Sequence, residues 1–179
     1  SQAGNRSGTG VYTAELAQWL PLVCAQPGET GGDIDIVTVW PKDVPHTRLD
    51  FPAHQAFVYR RISGPLGRIR YDQFGLANDV KRLRADLVHY PANVGSLVGA
   101  PNMVVTVHDL GFLHDPGWFR QGRALYYRLA VSRSVRIAAR IITVSQNTAD
   151  DLVERLNVSK DRIDVIPNGV DASFRPVPV

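Results

Sequence analysis

The sequence predicts an α/β fold, a Rossmann-like parallel sheet sandwiched by helices. Three observations carry that reading. Short Val/Ile-rich segments, Met103–Val107 above all, are apolar on consecutive residues, as strands buried on both faces are. Longer segments rich in Ala, Leu and Arg separate them, which implies right-handed βαβ units. The composition suits a buried core: 179 residues, 44% hydrophobic and 21% charged, with 20 Lys+Arg against 17 Asp+Glu for a formal charge of +3.

Gly8-Thr9-Gly10 leads into a helix over residues 11–24, where Val11, Leu16, Leu20 and Val23 recur near helical spacing. Pro21, lacking an N–H, is expected to end or bend it early. Residues 26–32 read as a Gly/Pro-rich loop. Residues 34–40 form a first strand stopped by Pro41, and a second runs over 56–60. A basic loop at 65–71 precedes Asp72, placed to cap a helix running to Arg84. Residues 87–90 are a strand halted by Pro91, and 93–101 are loop-like.

Met103–Val107 is the strongest strand signal, since β-branched residues dominate it. Residues 119–140 are the longest helix candidate. Residues 141–144 make another buried strand, Ser145 caps a helix over Gln146–Leu156, and 162–166 close the set before Pro167-Asn168-Gly169. There is no internal repeat or low-complexity run, and apolar runs are too short to span a bilayer. The single Cys24 excludes an internal disulfide framework and a Cys-based zinc cluster.

A parallel sheet places ligands at the carboxyl ends of its strands. That rule selects residues 90–93, 108–110, Ser145 and 167–171. His108 there can donate to a ligand oxygen, with Asp109 fixing its tautomer or capping the next turn. Tyr90 and Asn93 end another strand and could face a cleft. Gly8-Thr9-Gly10, at a helix start, could receive an anion on free N–H groups. It lacks the endings of a P-loop and of a dinucleotide fingerprint. His108, Asp109, His114 and Asp115 are close enough in sequence to raise a metal-dependent hydrolase as an alternative. Residues 110–113 between them read as a loop, and 115–117 as a turn.

Ser145 lacks the flanking glycines of a nucleophile elbow. Arg120, Arg123, Arg128, Arg133, Arg136 and Arg140 stud the long helix without forming one stripe, which reads as a solvated helix with snorkelling arginines. No aromatic-basic platform accompanies them, so nucleic acid is not an expected partner.

Residues 104–113, 141–145 and 163–171, with Gly8-Thr9-Gly10-Val11-Tyr12 and residues 86–91, resemble in order the amino-terminal half of retaining GT-B glycosyltransferases of family 4, glycosyl transferases group 1. The resemblance implies that residues 1–171 are a Rossmann-like acceptor-side domain, lacking its first strand, and that 172–179 begin an interdomain linker. A carboxyl-terminal half outside this chain would bind most of a nucleotide-sugar donor. His108 would approach the donor sugar, and Gly8, Thr9, Gly10 and Ser145 would lie on the donor side. Tyr90, Asn93, Asp109, Tyr71 and Gln73 would serve a glycan, lipid or small-molecule acceptor.

Front-face transfer would need no protein nucleophile, no metal and no cofactor. A cytoplasmic location follows from the same resemblance, with peripheral membrane contact compatible with it. The polar start, which has no initiator Met and no secretory h-region, and the Pro-punctuated residues 174–179 read as an excised piece of a longer protein. A non-catalytic sugar- or nucleotide-binding module of the same fold stays open at this point.

Overall fold

The computed structural model describes residues 8–25, 34–41, 56–60, 67, 69–115 and 123–170. The expected loop at 26–32, most of the basic loop at 65–71, the turn at 116–117, Arg120 and residues 171–179 lie outside the described residues. The chain divides into two compact units, Ser1–Arg84 and Ala85–Val179.

The first unit opens with α1 (Gly8–Cys24), which buries Ala14 and Pro21. Pro21 does not end it: the helix continues one turn, and the Ala25 N–H bonds the Pro21 carbonyl at 3.0 Å. Proline removes only its own donor, and so close to the end the remaining bonds still close the last turn. The strands β1 (Val37–Pro41) and β2 (Ala56–Arg60) pair in parallel, with Val37 opposite Ala56 and Pro41 opposite Arg60. β1 begins later than residue 34 and includes Pro41, which a strand tolerates at its end, where no ladder donor is required.

A π-helical stretch (Tyr71–Gly75) runs directly into α2 (Leu76–Leu83). Asp72 is therefore not an N-cap, because Arg70 is already helical at φ −62° and ψ −40°. A Cβ on Gly75 would sit 2.4 Å from Cδ2 of Tyr71, so the wide turn depends on glycine to let that ring lie along it. α2 stops at Arg84, whose left-handed backbone (φ 52°) turns its N–H onto the Lys81 and Val80 carbonyls.

The second unit holds β3 (Val88–Tyr90), β4 (Met103–Val107), a short α3 (Gly111–His114), α4 (Arg123–Ile137), β5 (Arg140–Thr143), α5 (Gln146–Leu156), a 3₁₀ turn (Lys160–Arg162) and β6 (Ile163–Val165). The four strands form one parallel sheet in the order β3-β4-β5-β6. The described strands thus make two separate parallel sheets, of two and four strands. β4 lies between β3 and β5, and Val105, Thr106, Val107 and Ile141 are fully buried with Val131, Val135 and Leu152 of the helices. Consecutive burial on β4 is what its unbroken β-branched run requires.

The carboxyl end of α4 corrects the sequence expectation, while the expected start at 119 lies outside the described residues. The described helix stops at Ile137, and Arg140 is the first residue of β5, bonded to Asp164 through Nε at 3.0 Å. Arg162 donates to the Val135, Arg136 and Ala138 carbonyls, placing a cation on the helix's negative end. α5 begins at Ser145, whose Oγ accepts the Thr148 N–H at 3.2 Å, and ends on Asn157 at φ 53°.

His89 of β3 bonds Thr106 Oγ1 through Nε2 at 2.8 Å, and burial lowers its pKa to about 4. The unfolded chain, with an ordinary value of 6.5, then binds the extra proton between those limits. Stability is full above pH 6.5 and falls as pH drops towards 4, by on the order of 3 kcal/mol. Thermal unfolding followed from pH 7 to pH 4.5 is expected to show that loss, and His89→Gln to flatten the profile in this range. An unchanged slope in the variant contradicts the assignment.

Candidate functional site

The carboxyl ends of the four parallel strands share one edge, and three loops meet there. β4 ends at Val107, and His108 leaves the ladder with backbone groups that need partners. Its N–H donates to Asn93 Oδ1 at 2.7 Å, and its carbonyl accepts from Thr148 Oγ1 at 3.2 Å. Its ring bonds the Pro91 carbonyl through Nε2 at 2.8 Å. A carbonyl only accepts, so the proton is on Nε2, and a neutral ring carries its lone pair on Nδ1.

Asn93 holds its place through the opposite kind of bond. Its backbone is left-handed at φ 50°, and its N–H donates to the Thr106 carbonyl at 2.8 Å. The amide oxygen is thereby aimed at the strand end. Asparagine tolerates this conformation better than most side chains.

Ser145 joins the cluster through Thr148. Thr148 gives its single hydroxyl proton to His108, so Ser145 Oγ–H donates to Thr148 Oγ1 at 3.0 Å, while Ser145 Oγ accepts the Thr148 N–H. One chain of bonds therefore runs from the cap of α5 to the end of β4.

Of the residues expected at the site, the structure joins Asn93, His108 and Ser145. Asp109 is exposed, and its Oδ1 accepts the Gly111 N–H at 3.0 Å, which starts α3. Residues 111–114, expected to be loop, are that short helix. Tyr90 lies in β3 with 7% of its surface exposed, part of the core. Residues 166–170 follow β6 and are exposed, and Asp171 is outside the described residues. Sequence reasoning missed both the Pro91 carbonyl and the link through Thr148. A small polar residue three positions after a cap was the available signal.

Gly8, Thr9, Gly10, Tyr71 and Gln73 belong to the first unit. Gly8 and Gly10 are exposed on the first turn of α1, and the Thr9 carbonyl accepts from Thr13 Oγ1 at 2.7 Å. Gln73 is buried at 7% exposure. The Tyr71 hydroxyl donates to Asp79, which also takes both branches of the Arg60 guanidinium. Arg60 holds the Asp79 carboxyl below its ordinary range against the opposing effect of burial, and Tyr71 adds to the lowering. Burial, then the Asp79 carboxylate, push the Tyr71 phenol up. Asp79 therefore contributes stability above the usual carboxylate pKa that is lost as pH falls through its lowered value.

The hydrolase alternative loses its geometry. His114 bonds Asp151 Oδ2 through Nε2 at 2.6 Å, and Arg155 donates to its Nδ1 at 3.2 Å, so both ring nitrogens are engaged. Arg155 Nε also reaches Asp151 Oδ1 at 2.8 Å. Burial would raise the Asp151 pKa, but the bonds to His114 and Arg155 outweigh it and the net shift is downward. Among the described residues, no group of three or more His, Cys, Asp or Glu side chains is placed to hold a metal ion.

Comparison with known proteins fits this arrangement. The model of Glycosyltransferase Family 4 matches residues 6–174. The chain belongs to glycosyltransferase family 4. A segment of 72 residues, 40% of this chain, is 33% identical to the O-antigen chain mannosyltransferase RfbU of Salmonella typhimurium strain LT2. That segment covers 20% of the relative's length. Family membership agrees with the parallel sheet flanked by helices, the architecture of a Rossmann-like half-domain of the GT-B type.

A graded series at position 93 separates the two things Asn93 does. Asn93→Asp retains the acceptor and is expected to unfold within about 1 kcal/mol of the parent. Asn93→Gly keeps the backbone but leaves the His108 N–H without its acceptor, at about 1–3 kcal/mol. Asn93→Ala adds left-handed strain of about 1 kcal/mol. Denaturant midpoints are expected in that order, and equal midpoints for Gly and Asp contradict the bond to His108.

Proposed function

We propose that this chain is the acceptor-side, amino-terminal part of a retaining glycosyltransferase. It moves a sugar from a nucleotide-sugar donor to a glycan, lipid or small-molecule acceptor. The observation that supports the reading most is the family match over residues 6–174, taken with a histidine held on three sides at the carboxyl end of β4. The relative's name makes mannose the first donor sugar to test.

In this reading His108 contacts a hydroxyl of the donor sugar. Its bonds to Pro91, Asn93 and Thr148 fix it before the sugar arrives, so little ordering is left for the moment of binding. Ser145 lines the same edge through Thr148. Gly8, Thr9 and Gly10 serve the donor diphosphate from the exposed start of α1. Asn93, Asp109 and Tyr90 are assigned to the acceptor in this reading, and so are Tyr71 and Gln73 of the first unit.

Retention proceeds by attack of the acceptor oxygen on the anomeric carbon from the face that the nucleoside diphosphate leaves. The carbon–oxygen bond to the diphosphate breaks, the bond to the acceptor forms, and the acceptor proton passes to the departing phosphate oxygen. No side chain of this chain becomes covalently bound. Charge growing on the diphosphate needs positive dipoles and cations converging from more than one wall, so the reading assigns activity to the complete protein rather than to this half alone. It includes no metal or organic cofactor, and a cytoplasmic setting suits the donor.

Transfer by the complete protein, assayed with nucleotide-activated mannose and a panel of other nucleotide sugars, tests this. His108→Ala is expected to lower kcat/KM by about a hundredfold. NMR of the first product formed is expected to show the donor's anomeric configuration retained. A loss below about twofold overturns the role of His108, and an inverted product overturns the reaction class.

A further inference from the structure

The buried face of α4 carries Ala130, Val131, Ser134 and Val135, and among the described residues Ser134 is its one polar member. Packing alone does not ask for a hydroxyl there, because Ala is the better helix former and buries no polar atom. Ser134 is fully buried, and its Oγ–H donates to the Ala130 carbonyl one turn back at 2.7 Å. The oxygen keeps its acceptor side. It accepts the Gly95 N–H at 3.0 Å, from a loop 39 residues away in sequence. Gly95 fits there for want of a Cβ, which would lie 3.0 Å from both Met103 Sδ and Val105 Cγ2 of β4.

The turn over residues 93–95 is thereby fastened on two sides. On the β4 side, the Asn93 N–H donates to the Thr106 carbonyl at 2.8 Å, and Asn93 Oδ1 accepts the His108 N–H at 2.7 Å. On the α4 side, the hold is the bond from Gly95 to Ser134. Between them the Val94 N–H donates to the Ala92 carbonyl at 2.5 Å, which leaves the turn little slack. Asn93 is left-handed at φ 50°, a conformation that costs energy and persists where its surroundings hold it. Releasing Gly95 frees the end of the turn that keeps Asn93 in that conformation.

We infer that Ser134 is a positioning residue for His108. It touches no ligand. It acts through Gly95 and Asn93, fixing the amide oxygen that receives the His108 N–H. A hydroxyl on the hidden face of α4 thus sets the geometry of the strand end in front of it. The effect on sugar transfer rests on the role proposed above for His108, whereas the positioning itself does not.

Hydrogen exchange of the complete protein, resolved to single amides, tests the positioning. Ser134→Ala leaves the Gly95 N–H buried without this acceptor. It is expected to speed exchange of the His108 N–H at least about fivefold relative to the amides of β5. Val131→Ala is the control, a cavity in the same helix that leaves the turn its bonds. It is expected to speed His108 no more than β5. Ser134→Thr keeps the hydroxyl and is expected to hold the His108 ratio within about twofold of the parent. Should the added methyl group prevent folding, the contrast between Ser134→Ala and Val131→Ala decides.

Transfer by the same variants, measured where all are folded, reads the consequence. Ser134→Ala is expected to lower kcat about tenfold with the KM for the nucleotide sugar within about threefold, and Val131→Ala to leave both near the parent. A His108 ratio unchanged in Ser134→Ala, or raised equally in Val131→Ala, overturns the inference. A raised ratio with undiminished transfer supports the positioning and overturns the role of His108 instead.

Discussion

The backbone of His108 sets the constraint on which the second unit depends. β4 is paired on both sides and fully buried over Val105, Thr106 and Val107, so the chain must leave the sheet without leaving orphaned polar groups behind it. The N–H finds Asn93, the carbonyl finds Thr148, and the ring finds Pro91. Those three partners come from the loop after β3 and from the first turn of α5. Satisfying one residue's hydrogen bonds therefore fixes the relative position of three segments. A ligand approaching this edge meets groups already held in place.

In each unit a buried carboxylate is held by two partners, most of them partly exposed. Asp79 binds Arg60 and Tyr71 in the first unit, and Asp151 binds His114 and Arg155 in the second. In each case a carboxylate that burial alone would destabilise is retained because cationic or hydroxyl partners surround it. Neither cluster needs a ligand to explain it. Leu125 and Leu129 of α4 are the opposite case, apolar side chains left largely exposed.

Much of the second unit was legible in the sequence because its signals are local. The β-branched run of Met103–Val107, the cap at Ser145 and the length of α5 rest on a few adjacent residues, and each appears where its chemistry places it. Asp72 failed as a cap because a helical turn already precedes it, and a π-helical stretch has no local periodicity to reveal it. Pro21 was overcome by the bonds of the last turn, and Arg140 belongs to β5 because a strand, not the helix, claims it.

The site was legible by rule rather than by contact. Strand-end geometry selected Asn93, His108 and Ser145, but their linkage through Thr148 and the Pro91 carbonyl depends on backbone turns that no spacing encodes. The outward turn of Leu125 and Leu129 was invisible for the same reason. An apolar residue on a helix reads as core until the position of the sheet is known.

The central claim is that the carboxyl edge of the four-stranded sheet is where the sugar is held. A crystal structure of the complete protein with an unreactive nucleotide-sugar analogue tests it most directly. The account predicts a sugar hydroxyl within hydrogen-bonding distance of His108, with the bonds from Asn93 and Thr148 to its backbone intact. A sugar bound away from the ends of β4 and β5, with His108 untouched, contradicts it.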